Sequence, residues 1–259
     1  MGWISKGVVG LVSLSFVGAL QGQTVVSGDY LQTFDGLAST GTTNAWTQDL
    51  SIPEWWAYRF PSTPNTWMDV TNYIANAGGT ATGTLYSFGA ISSSERALGS
   101  IGSGNDASGD YRYGTGFTNG FASSITSILI SFRAETWRVG SAGNNNNVDF
   151  QYSLNASGVN DSGATWVDFD GLDFGQAANT INGPLDGNAN FLSISSSITD
   201  LSISEGETIW VRWTDIDHAG VDHALAIDDL SASFTTVPEL ATLAVVGIGL
   251  LAMKRRRRS

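Results

Sequence analysis

From Thr126 to Val139 the chain reads TSILISFRAETWRV, and Ile128, Ile130 and Phe132 fall on alternate positions, which is one face of an extended strand. The same alternation of β-branched or aromatic residues returns in VDFQYSL (148–154), ATWVDFD (164–170), NFLSISSSI (190–198), ETIWVRW (207–213) and HALAIDDLSASF (223–234). VVSGDYLQTFDGL (25–37) and GTLYSFGAI (83–91) carry it more weakly. Between these runs, GSGNDASGD (102–110), GSAGNNNN (140–147) and NASGVNDSGA (155–164) supply residues that tolerate tight turns and positive φ. No stretch has the 3.6-residue periodicity of an amphipathic helix, and no repeat suggests a propeller or solenoid. Strands at such spacings suit a meander or a sandwich, and the expected fold is all-β: a single jelly-roll-like antiparallel β-sandwich over residues 24–236.

Composition agrees, with 31 glycines, nine tryptophans and only 14% charged residues. No cysteine occurs, so stability has to come from a large core, and an exported chain without disulfides points to a bacterial source. Residues 24–236 hold 23 acids against six arginines and no lysine, a balance of −17. Such a body repels nucleic acid and attracts cations.

The two ends differ from this body. Residues 1–23, MGWISKGVVGLVSLSFVGALQGQ, place Lys6 before an uncharged apolar run that closes on Gly18, Ala19 and Gly22, the order of a secretory signal peptide with an exit between residues 19 and 24. Residues 237–259 begin Val237-Pro238-Glu239 and continue through fourteen uncharged residues, Leu240 to Met253, to Lys254, Arg255, Arg256, Arg257 and Arg258. As a helix this segment spans about 21 Å against a hydrocarbon core of ~30 Å, short for a lasting anchor but enough for transient membrane contact with the basic end snorkelling. The basic block leaves the terminus on the cytoplasmic side and the body outside.

This tripartite tail resembles the PEP-CTERM sorting signal of bacteria that make exopolysaccharide, with Leu240 where that signal carries its second proline. The resemblance implies an exosortase-type processing enzyme as partner, cleavage near Pro238 and Glu239, and delivery to the cell surface, outer envelope or extracellular space. Residues 85–234 are similar to a β-sandwich module recurring in secreted bacterial surface proteins. The similarity lies in the Ala-Leu-Gly-Ser turn (97–100), the Phe-x-Asn step (117–119), the strand ending Glu-x-Trp-Arg (135–138), the Arg-Trp pair (212–213) and the Ile-Asp-Asp-Leu strand (227–230). That module brings no catalytic residues.

Candidate chemistry is sparse. Asp168, Asp170 and Asp173, and Glu205 and Glu207, crowd together without singling out the pair that glycoside hydrolysis needs. No G-x-S-x-G, P-loop or Rossmann pattern occurs, so no enzyme is expected. Both histidines, His218 and His223, fall among aspartates in DIDHAGVDHALAIDD, without the spacing of a zinc site. Asp215, Asp217 and Asp222 bracket a glycine-containing turn that suits either a structural Ca²⁺ or a solvated hairpin whose aspartates bond the backbone. Glu135, Arg138 and Arg212 are expected to form an ion network among Trp137, Trp210 and Trp213. Trp46, Trp55, Trp56, Tyr58 and Trp67 crowd a proline-containing stretch that argues against a regular strand. They either fold over the core or present Trp55, Trp56 and Trp67 as sugar-stacking faces. The function that fits is a structural or adhesive component of the cell envelope or matrix; the alternative is a carbohydrate-binding module that engages polysaccharide with or without Ca²⁺, and behind it stands a polysaccharide-active enzyme.

Overall fold

The computed structural model describes residues 22–237. Pro238, Glu239, Lys254, Arg255, Arg256, Arg257 and Arg258, with the signal-like segment 1–21, lie outside the described residues. Seven strands come first: β1 (Thr24–Val26), β2 (Tyr30–Gln32), β3 (Asn44–Ala45), β4 (Trp55–Phe60), β5 (Met68–Asp69), β6 (Asn72–Asn76) and β7 (Thr84–Phe88). Then follow β8 (Ala97–Ile101), β9 (Asp110–Asn119), β10 (Ser124–Val139), β11 (Asn147–Ser153) and the short β12 (Val167–Asp168), β13 (Phe174–Gly175) and β14 (Gly183–Pro184). The chain closes with β15 (Phe191–Ile198), β16 (Thr208–Asp215) and β17 (Ala224–Val237).

The strands form two sheets, as the alternating pattern requires. The first has the order β12-β11-β16-β9-β4-β5, with β1 also beside β9 and β13 beside β11. The second runs β14-β10-β17-β8-β7-β6-β3, with β15 beside β10 and β2 beside β17. From β8 onward the long strands β8, β9, β10, β11, β15, β16 and β17 cross repeatedly between the sheets, so sequence neighbours face one another across the core. The long strands pair with one another antiparallel, whereas β1 with β9 and β6 with β7 are parallel.

Between the sheets, alternate residues of each strand interdigitate: Trp55 and Ala57 of β4, Tyr113 and Phe117 of β9, Val211 and Trp213 of β16, and from the other side Ile128, Ile130 and Phe132 of β10 with Leu225 and Ile227 of β17. Trp213 is central, with its ring centroid 6.0 Å from Trp55 in a stacked arrangement and edge-on to Phe132 at 5.6 Å and Phe150 at 5.1 Å. The Phe-x-Asn step has a local reason. Asn119 is buried and donates from Nδ2 to the carbonyls of Ser123 (2.9 Å) and Ile203 (2.8 Å) while its Oδ1 accepts the Phe121 N–H (2.8 Å), closing the β9–β10 turn.

Three expectations are corrected. WWAYRF is a regular strand, because Pro53 and Pro61 flank it instead of interrupting its hydrogen bonds. Ala97–Ile101 is a buried strand, not a turn: Gly99 permits an approach at which a Cβ would sit 2.1 Å from the Leu225 carbonyl. ATWVDFD contributes only the two-residue edge strand β12.

Candidate functional site

Residues that alternate with the core positions of the first sheet point to its outer face. From β4 these are Trp56 and Tyr58, and from β16 Trp210; they form a second apolar layer with Val159, against which Trp67, Ala156 and Trp166 pack. The loop between β11 and β12 folds back over the sheet to make this layer, and the Trp166 indole N–H donates to the Asp161 carbonyl at 2.9 Å. Glycines on β9 let the strands lie flat beneath it. A Cβ on Gly116 would be 2.9 Å from the Trp210 ring, and one on Gly114 would be 2.1 Å from the Val211 carbonyl oxygen.

Two arginines of the same face stack on its two half-buried tryptophans. The Arg112 guanidinium lies 3.9 Å from the Trp67 ring centre, and that of Arg212 lies 3.5 Å from the centre of Trp166. Both are held by neutral acceptors. Arg112 donates from Nε to Thr214 Oγ1 (3.1 Å) and from Nη1 to Asn160 Oδ1 (3.1 Å). Arg212 donates from Nε and Nη2 to Gln151 Oε1 (2.9 and 2.6 Å) and from Nη1 to the Val159 carbonyl (3.1 Å). Among the described residues neither has a carboxylate within ion-pair distance; the two salt bridges are made by Arg133, to Glu135 and Asp229. Burial lowers Arg212 to about 9, helped by the neighbouring Arg112 charge, and burial lowers Arg112 to about 10, so both stay charged at neutral pH. The result is two indole–guanidinium stacks on one sheet face of a protein that is otherwise acidic. Beside it, a cleft of about 550 Å³ is bounded by Asn155, Ser157, Glu207 and Trp210.

The aromatic cluster read from residues 46–67 divides between three environments. Trp55 (0% exposed) and Trp46 belong to the core, and Trp56 (2% exposed) lies under the folded-back loop, so Trp55 and Trp56 are not available to stack on a sugar. Strand alternation sends Trp55 inward and Trp56 outward, and each side then finds an apolar cover. Of the three aromatics expected to meet a ligand, Trp67 alone is not fully buried. Its counterpart Trp166 was hidden in an apparent strand, ATWVDFD; only its place after a polar, glycine-rich linker hinted at an exposed aromatic.

Glu135, Arg138 and Arg212 do not form one network, because β10 and β16 lie in different sheets. Glu135 accepts the Trp137 indole N–H at 2.9 Å, and Arg138 donates to the Gly78 carbonyl at 3.1 Å. Asp215, Asp217 and Asp222 do not gather their oxygens either. Asp215 is buried and accepts the Ser100 hydroxyl at 2.6 Å; burial first, then Asp222, Asp110 and Asp217, push its carboxyl up to about 8. Asp222 accepts the His218 N–H (3.1 Å) and the Asn146 amide (3.0 Å), and Asp217 is exposed. His223 is buried, accepting the Gly140 N–H on Nδ1 at 3.1 Å, with Nε2 3.2 Å from the Asn144 carbonyl. Among the described residues, the carboxylates that do converge are Glu95, Glu135 and Asp228.

No family model matches the sequence, and no curated protein matches it. Solved structures of similar shape include the CBM22-1 xylan-binding domain of Xyn10C from Paenibacillus barcinonensis, 10% identical over 83% of this chain and 99% of that one, with a TM-score of 0.35. The K2 cleaved adhesin domain of Lys-gingipain is 13% identical over 80% of this chain and 99% of that one, with a TM-score of 0.38. A carbohydrate-binding module specific for non-crystalline cellulose, CBM28, is 8% identical over 76% of this chain and 100% of that one, with a TM-score of 0.33. The functional reading rests on the residues of the outer face.

Proposed function

We propose that this chain is an exported, surface-associated adhesive protein of the cell envelope or extracellular matrix, and that it adheres by holding polysaccharide against the outer face of its first sheet. It does so as a non-catalytic module. The observation that carries the reading is the pair of stacks, Arg112 on Trp67 and Arg212 on Trp166, on one sheet face, where half-buried indoles meet the apolar faces of sugar rings and fixed polar groups meet their hydroxyls. The acidic body, the signal-like residues 1–23 and the PEP-CTERM-like residues 237–259 support export and delivery to the surface through an exosortase-type enzyme.

Screening the full chain against immobilised envelope polysaccharides tests the adhesive role. Trp67→Ala and Trp166→Ala each weaken binding about tenfold, equivalent to ~1.4 kcal/mol, while Leu31→Ala on an exposed site of the other sheet leaves it unchanged. Retention of full affinity in both tryptophan variants would refute this face as the contact.

A further inference from the structure

Three segments singled out by the sequence, Glu95 before the Ala-Leu-Gly-Ser strand, Glu135 of Glu-x-Trp-Arg and Asp228 of Ile-Asp-Asp-Leu, meet on the outer face of the second sheet, away from the tryptophan and arginine stacks. Strand order accounts for the meeting, because β10, β17 and β8 are neighbours. A bulge completes it. Ser131 pairs with Ser231 and Arg133 with Asp228, so β17 carries one extra residue there, and Asp229 adopts φ 49°. Alternation is reset at that point. Leu225 and Ile227 face the core, Leu230 and Ala232 face it again after the bulge, and Asp228 stays on the outer side with Ala224 and Ala226.

The site is closed from above. A Cβ on Gly187 would sit 2.3 Å from the Trp137 ring, Asn188 donates from Nδ2 to Glu95 Oε2 at 2.6 Å, and its carbonyl accepts Arg133 Nη2 at 2.9 Å. Beneath this cover an oxygen from each of Glu95, Glu135 and Asp228 lies within 4.8 Å of the other two. Glu135 and Asp228 are almost wholly buried, and Glu95 Oε1, Glu135 Oε1 and Asp228 Oδ1 are buried without a hydrogen-bond partner. Arg133 lies against them: its Nη2 is 3.3 Å from Glu135 Oε1, while its Nη1 is 3.7 Å from the exposed Asp229. Glu135 and Asp228 are thus two wholly buried carboxylates beside a half-buried third, and among the described residues Asp228 Oδ1 faces no cation within ion-pair distance.

We infer that Glu95, Glu135 and Asp228 bind a divalent cation of the calcium type, which pins the centre of β17 to β10 and to the segment entering β8. The donor set is three carboxylates with neither histidine nor cysteine, the chemistry of a hard cation and not of zinc. Oxygens up to 4.8 Å apart fit two bonds of ~2.4 Å across a Ca²⁺ ion, whereas Mg²⁺ at ~2.1 Å needs a tighter octahedron. The inference stands apart from the polysaccharide reading, whose face is on the other sheet.

The full chain, stripped with EDTA and titrated with CaCl₂ or MgCl₂, tests it. One Ca²⁺ per chain is retained by elemental analysis, and Tm rises with the logarithm of Ca²⁺ concentration, with Mg²⁺ weaker. Asp228→Asn and Glu135→Gln each abolish the Ca²⁺-dependent rise, yet in EDTA each melts close to the wild type, since each keeps the shape of the carboxyl it replaces. A merely structural role for the carboxyls would lower Tm equally with and without Ca²⁺. Should either variant fail to fold, Tb³⁺ emission excited through tryptophan serves on the wild type. It increases on Tb³⁺ addition, is competed by Ca²⁺, and falls in Trp137→Phe, whose indole lies against Glu135. No retained Ca²⁺, a Ca²⁺ response kept by both carboxyl variants, or a response lost only in Asp222→Asn would overturn the site.

Discussion

Asp215 shows what a single buried carboxyl does to stability. Its folded pKa, raised to about 8 from 3.8, means that the unfolded chain ionises this group as pH rises through 4 while the folded chain keeps it protonated. The favourable contribution is therefore complete below about pH 4 and is lost progressively up to pH 8, at about 1.4 kcal/mol per pH unit. Asp215→Asn keeps an oxygen for the Ser100 hydroxyl and removes the titration, so its denaturation midpoint should match the wild type below about pH 4 and exceed it at pH 8. Parallel pH profiles in urea would show that the slope has another source. Residues of this kind are hard to read from sequence. Asp215 looks like its neighbours Asp217 and Asp222, and only the inward turn of the last residue of β16 separates it from them. Trp55 and Trp56 pose the same difficulty, since adjacent indoles on a strand go to opposite sides whatever their chemistry.

Among the elements, the long alternating runs were legible: β10, β11, β15, β16 and β17 begin and end within a few residues of their patterns. β4, β8 and β9 were not, and each has a physical reason. Prolines flank β4, and glycines within β8 and β9 looked like turn residues but serve close packing. Gly114 and Gly116 illustrate the difference between backbone and side-chain neighbours. A methyl at Gly114 meets the Val211 carbonyl, which cannot move without parting β9 from β16, whereas one at Gly116 meets the Trp210 ring, which can tilt. Gly114→Ala should cost about 3 kcal/mol by chemical denaturation and Gly116→Ala less than half of that. Equal losses would mean that the two strands yield as easily as the ring.

For the whole molecule, the tail matters through where it joins. β17 runs to Val237, directly before Pro238 and Glu239. If an exosortase-type enzyme processes the tail, mass spectrometry of the extracellular protein finds a new C-terminus near Glu239. An intact Arg255 to Ser259 end on secreted protein would contradict processing. The readings of the tail and of the signal-like segment rest on the order of charge and apolarity along the chain alone. The carboxylates Glu95, Glu135 and Asp228 were not legible, since 133 residues separate the first from the last and only the strand order joins them.

The pairing of β17 has one more consequence. This strand is hydrogen-bonded to β10 from Val237 opposite Ser124 to Ala224 opposite Arg138, and it also touches β8 and β2. Tension applied at Val237 while the opposite sheet grips a fibre runs along the strand, so its rungs are loaded together in shear instead of peeling open one by one. A protein tethered there and holding a polymer on its other face would resist pulling best in the direction in which a moving cell or flowing water would pull it.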